Sequence, residues 1–150
     1  MIYSIKKFCF NHLNNFIYRK EDILSFKGVD NLNDSIINFL NKNISYTLLY
    51  DNETVFIISF DILWNGVAEL WGITNNNFLD YYLSIFRYSK EIIDFIIVLH
   101  SLHRLQCHIL KTFYKSHRMI KFLKFEKEAI LYNYGPSKET YIQYVRIING

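Results

Sequence analysis

Four histidines, a residue type that often binds zinc, lie close together in this chain, at His100, His103, His108 and His117. A zinc site needs three or four donor atoms that converge at about 2.1 Å from the ion. The predicted elements place His103 beyond a helix end, His108 on a strand and His117 on another helix, so nothing requires them to converge. Cys9 and Cys107 are far apart and fit no metal-ligand spacing. We therefore expect no metal site, and we expect both cysteines to be reduced.

Basic side chains recur near the end of the chain, with aromatic residues between them. This basic stripe consists of Lys111, Lys115, Arg118, Lys121, Lys124 and Lys127. On a helix, Lys111, Lys115 and Arg118 share one face, which could bind phosphate groups, DNA or an acidic protein. The simpler interpretation is the solvated face of an amphipathic helix. The net charge of +3 is too small to argue for nucleic acid by itself.

The composition indicates one globular domain. The chain has 150 residues, of which 51% are hydrophobic and 21% charged, which excludes a disordered tail. Its 15 asparagines against two alanines suggest an AT-rich genome, so a single Asn or Tyr carries little functional weight. Trp64 and Trp71, together with Tyr50 and Phe60, form either core or a partner-binding face, and the high aromatic content favours core.

No targeting or membrane segment is predicted. No apolar core follows the first seven residues, so a secretory signal is not expected. The longest apolar run, 95–99, is far shorter than the roughly 18 residues that a spanning helix needs.

Turn-forming residues divide the first half of the chain into short elements. A strand is predicted over 2–6, with helices over 10–27 and 33–42, the second capped by Asn31 or Asn33. The hydrophobic period then changes to two. This change predicts a meander of three antiparallel strands over 45–50, 53–63 and 67–73. The last two strands are joined at Asn65-Gly66, which predicts a type I′ turn with positive φ at both central residues.

The second half is predicted to alternate between helices and strands. It contains a helix over 78–100, a strand over 104–110, a helix over 112–123, and strands over 127–134 and 140–148. A strand, a long helix and a second strand indicate a parallel crossover. The order β-α-α-β-β-β-α-β-α-β-β therefore predicts a single α+β domain over 1–150. Its central sheet is mixed and mostly antiparallel, and helices flank it.

This element order, with several segments, resembles the GNAT (Gcn5-related N-acetyltransferase) family. Leu102–Gln106 resembles the start of the family's fifth strand. The run His117–Glu128 resembles its fourth helix, which ends at an L-G-F-x-x-E signature, and Leu131–Ser137 with Tyr141–Arg146 resembles its last hairpin. Gly66–Thr74 is most similar to GNAT-like proteins of bacteriophages, some of which are internal virion proteins of short-tailed phages. The resemblance covers about residues 40–150.

The resemblance implies a site for acetyl-CoA in a splay between the fourth and fifth strands. It also implies direct acetyl transfer to an amine, with Glu69 as the general base. The plainer interpretation of Glu69 is a strand carboxylate that faces outward. If acetyl-CoA binds, the resemblance implies contacts from Trp71, Ile73, Thr74, Asn75, Asn76 and Asn77.

Four positions depart from the family pattern. The segment 73–82 lacks the glycines and the arginine of the pyrophosphate loop, and Asp80 adds a negative charge there. Ile120 stands where the family often has a tyrosine that acts as an acid. Phe113 replaces an asparagine, and Lys124 replaces the glycine of L-G-F. An open, V-shaped splay between 67–73 and 104–110 would favour an active enzyme, and a splay plugged by side chains would not; Trp71 and Phe113 are the candidate plugs.

The sequence therefore predicts a phage-type GNAT-fold protein that has lost acetyl-CoA chemistry and needs no cofactor. We expect it to act through protein contacts as a structural or packaged virion component, in the virion or the host cytoplasm. The alternative is an active, divergent N-acetyltransferase that holds acetyl-CoA through the backbone of 71–75. Binding of nucleic acid by Lys111, Lys115, Arg118, Lys121 and Lys124 ranks third, and a homo-oligomer stays open.

Overall fold

Seven strands form one mixed sheet in the order β1-β2-β3-β4-β5-β7-β6. The computed structural model describes residues 2–25 and 31–149. The strands are β1 (Tyr3–Lys7), β2 (Ile44–Tyr50), β3 (Glu53–Trp64), β4 (Val67–Thr74), β5 (Arg104–Leu110), β6 (Glu126–Leu131) and β7 (Tyr141–Ile147). All neighbouring pairs are antiparallel except β4 and β5, which are parallel. The predicted fold class and the parallel pair are confirmed.

Helices cover both faces of this sheet. They are α1 (Lys20–Ser25), α2 (Leu32–Lys42), α3 (Tyr82–Leu99) and α4 (Tyr114–Phe122), with short 3₁₀ turns at Phe10–Leu13 and Phe78–Tyr81. Helices α3 and α4 lie on one face and contact each other through the rings of Phe86 and Phe122, 6.1 Å apart. Helix α2 packs on the other face.

Strand β3 shows how the sheet is buried from both sides. Phe56, Ile58 and Phe60 pack into the larger core under α3 and α4, whereas Ile57 packs into a smaller core under α2. Successive side chains of a strand point to opposite faces, so a strand covered on both faces is apolar throughout. Each such side chain stabilises the fold by about 1.5–3 kcal/mol.

The helix predicted over 10–27 is wrong as a continuous element. A 3₁₀ turn ends at Leu13, and Asn15 adopts a left-handed backbone with φ 60°. The chain then runs extended, so that Tyr18 forms an antiparallel bridge with Asn75 before α1 begins. Residues 26 and 27 of that prediction lie outside the described residues. Leu13, Phe16 and Tyr18 pack into the smaller core whereas Ile17 and Ile23 are exposed, so the apolar spacing over 10–27 does not mark one helical face.

Of the two hairpin turns of the meander, only the second differs from the prediction. Asp51 and Asn52 have φ values of 48° and 69°, so the pair of positive φ angles lies in this turn. At the second turn only Gly66 is left-handed, with φ 80°, and a β-bulge precedes it between Ile62 and Trp64. A Cβ atom at Gly66 would overlap the ring of His103, so any other residue there would also have to displace this ring.

The ends of the later helices are set by left-handed residues. Asn31, one of the two predicted caps, accepts the Asp34 N–H at the start of α2. After α4, Lys124 has φ 70° and takes the conformation that glycine usually supplies at a helix end. The replacement of the signature glycine by Lys124 therefore does not change how this helix ends.

Hydropathy of the helices gives one further result. Within residues 2–25 and 31–149, no helix is long and apolar enough to cross a membrane.

Candidate functional site

A cleft separates β4 from β5 over most of their length. The two strands pair only at Val67↔Arg104, Ala68↔Leu105 and Glu69↔Gln106. Beyond these pairs β4 continues to Thr74 and β5 to Leu110 without further ladder pairing, and a cavity of about 470 Å³ lies between them. This volume is within the roughly 300–1,000 Å³ that is usual for small-ligand sites. Its lining includes side chains from both faces of the sheet.

The α3 and α4 side of the cleft is mostly apolar, with a few hydroxyl groups and Lys115 of α4. Ile85, Ile93 and Ile120 contribute to this wall. Tyr82 and Ser89 lie beside them on α3, and neither of their buried hydroxyl oxygens has a hydrogen-bond partner among the described residues. Ser89 is 1% exposed. Because a buried hydroxyl without a partner costs free energy, these two groups indicate a place where a ligand could bind.

A charged pair lies on the opposite side of the cleft. His108, in the cleft wall on β5, places its Nδ1 2.6 Å from Oε1 of Glu69 on β4. Its Nε2 lies 3.0 Å from Oε1 of Gln143, and its ring stacks on Tyr134. The side-chain amide of Gln143 in turn donates to Glu128, which pairs with Arg104.

This network determines the charge of His108. A carboxylate can only accept hydrogen bonds, so Glu128 directs the NH₂ group of Gln143 toward itself and leaves the Gln143 oxygen facing His108. Both ring nitrogens of His108 therefore face acceptors, and both carry hydrogen. Burial alone would lower the pKa of His108, but hydrogen bonds to Glu69 and Gln143 and the charge of Glu69 raise it overall. Glu69 is thus engaged by His108, and it is not part of the lining of the cleft.

The wide end of the cleft is crossed by side chains from the N-terminal segment. The guanidinium of Arg19 lies between the rings of Phe78, which follows β4, and Phe113, which follows β5, at 4.3 and 4.2 Å from their centroids. Asp22 accepts hydrogen bonds from Arg19 and from the backbone N–H and the hydroxyl of Thr74. Burial raises the pKa of Asp22, against the opposite effects of Arg19 and Thr74. This arrangement, the Arg19–Asp22 latch, joins the two sides of the cleft.

Comparison with solved structures shows what this architecture is. The chain superposes on a GNAT-family acetyltransferase from Bacillus anthracis with a TM-score of 0.75 and 16% identity, over 97% of this chain and 94% of that one. It superposes on the ribosomal-protein-S5-alanine acetyltransferase from Vibrio fischeri with a TM-score of 0.76 and 12% identity, over 97% and 92% of the two chains. It superposes on the ribosomal-protein-S18-alanine N-acetyltransferase from Escherichia coli with a TM-score of 0.73 and 12% identity, over 99% of this chain and 96% of that one.

The chain has the GNAT acetyltransferase fold. No protein-family model and no curated protein matches the sequence. At these identities the likeness shows the fold alone. Whether the cofactor of GNAT enzymes fits this chain therefore depends on the residues of the cleft.

The part of the GNAT site that would bind the pyrophosphate of acetyl-CoA does not fit that group. Backbone N–H groups at the end of β4 and directly after it already have acceptors within the protein: Asp22 for Thr74, Val55 for Asn75 and Ile17 for Asn76. Within the following 3₁₀ turn, the N–H groups of Phe78 and Asp80 bond to Asn75 and Asn77. A phosphate cradle needs backbone N–H groups that point at the anion, and these groups are occupied.

The predicted cofactor-contacting residues fall into three groups. Trp71 and Thr74 line the cleft, whereas Ile73 is buried in the smaller core under α2. Asn75, Asn76 and Asn77 are outside the lining. Trp71 packs edge-on against Phe39, and Phe113 against Arg19. Of the two alternatives, the structure shows the open splay: Trp71 and Phe113, the candidate plugs, line the cleft without filling it, and the latch crosses its wide end.

Few of the α4 residues that face the cleft could donate or accept a proton in a reaction. Ile120 is buried in the cleft wall, beside Ser116 and Met119. His117 is directed elsewhere, toward the hydroxyl of Tyr144 at 2.8 Å and the carbonyl oxygens of Leu110 and Lys111. Within the described part of the chain, no group of three or more His, Cys, Asp or Glu residues could hold a metal ion.

Sequence reasoning identified Glu69 but missed its partner and the latch. His108 was singled out only as one of four histidines, and its pairing depends on the register of β4, β5 and β7. Arg19 and Asp22 have the i, i+3 spacing of an ordinary helical ion pair. That spacing is common on solvent-exposed helices, so it carries no signal for a position at the cleft.

Proposed function

We propose that this protein has kept the GNAT fold without CoA-dependent acetyl transfer, and that it acts through contacts with other proteins. The observation that carries the proposal is the occupied phosphate cradle: the backbone N–H groups at the end of β4 and directly after it bind Asp22, Val55 and Ile17 of the same chain. Ile120, which has no proton to donate, supports the same conclusion.

The surface is consistent with a role in protein contacts. Helix α3 exposes several apolar side chains, among them Leu83 at 79% and Val98 at 80%. The resemblance of Gly66–Thr74 to phage-encoded GNAT-like proteins supports a structural or packaged component of a virion as the setting. On this proposal the protein is found in the virion or in the cytoplasm of the infected cell.

Titration with acetyl-CoA tests the loss of cofactor binding. We expect no saturable heat of binding at millimolar acetyl-CoA and no shift of the melting temperature. A ligand at 100 times its Kd would add about 2.7 kcal/mol of stability, which is easily detected. The variant Arg19→Ala, titrated in parallel, shows whether the latch alone prevents binding. Saturable binding in the micromolar range to the unmodified protein would refute the proposal.

A divergent N-acetyltransferase is the alternative, and one observation favours it. The cleft is present, and the Glu69–His108 pair lies at its side. In this reaction an amine nitrogen attacks the acetyl carbonyl, the C–S bond breaks, the amine loses a proton to Glu69 or water, and the thiolate of CoA leaves. Release of free CoA thiol in the presence of amines, lost in Glu69→Gln but kept in His100→Gln, would establish this alternative.

A further inference from the structure

The outer face of helix α3 carries a symmetric row of exposed side chains. Residues four apart are neighbours on the surface of a helix, and every fourth residue from 83 to 99 is exposed, so together they form one ridge along α3. The side chains of this ridge are between 55% and 79% exposed. We call it the α3 ridge, and its members are Leu83, Arg87, Glu91, Phe95 and Leu99.

Both ends of the α3 ridge are apolar. Leu83 lies near the start of the helix, and Phe95 and Leu99 lie near its end. Val98, which is 80% exposed, adjoins them. Apolar side chains collected on one exposed face mark an interaction site, whereas apolar side chains scattered singly over a surface are ordinary. The α3 ridge is therefore a candidate for an interface.

Two opposite charges lie at the centre of the α3 ridge. Nε of Arg87 lies 4.0 Å from Oε1 of Glu91, and the guanidinium also lies 5.6 Å from the ring centroid of Tyr88. An exposed ion pair at this distance contributes little stability within one chain. Across residues 2–25 and 31–149, neither group forms an ion pair with another element of the fold. Both charges can therefore pair with a partner that lies along the helix.

A second copy of α3, running antiparallel to the first, complements these charges and the apolar ends together. About a two-fold axis midway between positions 87 and 91, Arg87 of each copy lies opposite Glu91 of the other copy. Leu83 lies opposite Phe95 in the same register. Ridges of residues four apart interdigitate when two helices cross at about −50°, which is the commonest packing class in globular proteins.

Other occupants match the α3 ridge less well. A parallel copy in the same register would place Arg87 against Arg87 and Glu91 against Glu91. A partner with charge of one sign would complement only one of the two central groups and would repel the other. The antiparallel register also brings Leu99 opposite Leu79, which precedes α3 and is 53% exposed. The pattern therefore favours a second copy of this chain.

We propose that two copies of this chain form a symmetric dimer in which their α3 ridges pack antiparallel. Such an interface is isologous, which means that the same patch of surface serves both copies. This inference goes beyond the proposed function, because the α3 residues that line the cleft, among them Ile85, Ser89 and Ile93, are buried and do not belong to the ridge. The dimer forms whether or not the cleft binds acetyl-CoA.

Sedimentation equilibrium of the full chain, at concentrations between about 1 and 200 µM, tests the inference. We expect the mass to rise from that of one chain toward twice that value, with a micromolar Kd, because a single helix pair buries a small interface.

A change at one apolar end of the ridge should weaken the dimer. Leu83→Glu would place a carboxylate against the ring of Phe95, and we expect the Kd to rise by at least about tenfold. Leu83→Ala is a milder change at the same position and should act in the same direction. The matched control is Trp64→Glu, which changes a side chain that is 65% exposed at the end of β3 and should leave the Kd unchanged.

Charge reversal tests the antiparallel register itself. Arg87→Glu would place four negative charges at the centre of the dimer, and Glu91→Lys would place four positive charges there, so each should raise the Kd by about tenfold or more. The combined variant restores opposite charges across the interface and should return the Kd to within about threefold of the original value. Lys6→Glu on β1 and Glu126→Lys on β6 make the same changes in charge on exposed strands and should have no effect.

The outcomes separate this inference from the proposed function. A dimer that is weakened by Leu83→Glu and by each charge reversal, and is restored by the combined reversal, supports the inference. A monomer at all concentrations, a dimer that Leu83→Glu leaves intact, or a combined variant that stays weak overturns it, and melting temperatures verify that each variant is folded. None of these results bears on the loss of acetyl-CoA binding. Conversely, saturable binding of acetyl-CoA would refute the proposed function and leave the dimer interface standing.

Discussion

At the level of single residues, His108 shows how a chemical role is decided by neighbours. Its two ring nitrogens face Glu69 and Gln143, and this arrangement holds the ring in its charged form. Glu69, which the family resemblance implies as a base, is thereby bound to a cation. The pairing with His108 engages Oε1 of Glu69, and Glu69 itself is not part of the lining of the cleft.

The stability of the protein should depend on pH through this pair. The pKa of His108 is raised in the folded state, so the stabilising contribution is complete below the unfolded pKa, about 6.5, and is lost as the pH rises through the higher folded value. We expect Glu69→Gln to lower the free energy of unfolding by about 1–3 kcal/mol at pH 6 and by less at pH 9. Urea unfolding at both pH values measures this.

A control for this prediction is available on the same chain. His100→Gln changes an exposed histidine at the end of α3 and should leave the free energy of unfolding unchanged at pH 6 and at pH 9. An identical pH profile for Glu69→Gln and the unmodified protein would show that the pair does not stabilise the fold.

At the level of elements, α1 is a helix that needs contacts with the rest of the fold to hold its position. It has six residues, too few for a stable helix on its own. Its docking depends on Arg19, which is 8% exposed between the rings of Phe78 and Phe113. It also depends on Asp22, which accepts a hydrogen bond from Thr74 at the end of β4. The latch therefore connects α1 to the elements that follow β4 and β5.

Breaking the latch on one side should be costly. Arg19→Ala leaves a buried carboxylate without its partner, and we expect a loss of about 3–5 kcal/mol in the free energy of unfolding. Arg19→Met combined with Asp22→Leu should cost less, because no charge is left buried. Denaturant unfolding measures both losses, and proteolysis within 14–25 should increase in Arg19→Ala.

The matched control for the latch is Arg87→Ala. Arg87 is exposed and lies 4.0 Å from Glu91 one helical turn away, so its loss should change stability by less than about 0.5 kcal/mol. If Arg19→Ala behaves like Arg87→Ala, the latch does not hold α1.

At the level of the whole molecule, the sheet consists of two parts joined by a short ladder. Strands β1 to β4 form one part and β5, β7 and β6 the other, and three residue pairs connect them. The rest of the connection passes through the core under α3 and α4. The sheet can therefore contain the cleft while the strands of each part stay paired with one another.

Hydrogen exchange should reveal the division directly. Within β4 we expect slow exchange for the amides of Trp71 and Ile73, which face β3, and exchange faster by orders of magnitude for Leu70 and Gly72, which face the cleft. Ala68, inside the ladder, should be as slow as Ile73. Equal protection along β4 would mean that the cleft is closed in solution.

The sequence alone determined the order of the elements and the fold class. Hydrophobic period, turn residues and an apolar meander are local signals, and they placed β2 to β5 and α2 to α4 to within a few residues. The helix over 10–27 failed because Asn15 is left-handed and the chain then runs extended to pair Tyr18 with Asn75. The GNAT resemblance pointed correctly to a splay between the fourth and fifth strands.

Only the tertiary structure decided what the cleft can do. Arg19 meets residues 59 and 94 positions away, and His108 meets Gln143 across the β5–β7 register. The buried hydroxyl of Ser89 looks in sequence like any helical serine. A hydrophobic period indicates which face of its own element a residue occupies, but it does not indicate which residues of other elements pack against that face. Those partners follow from strand register and from how the layers pack.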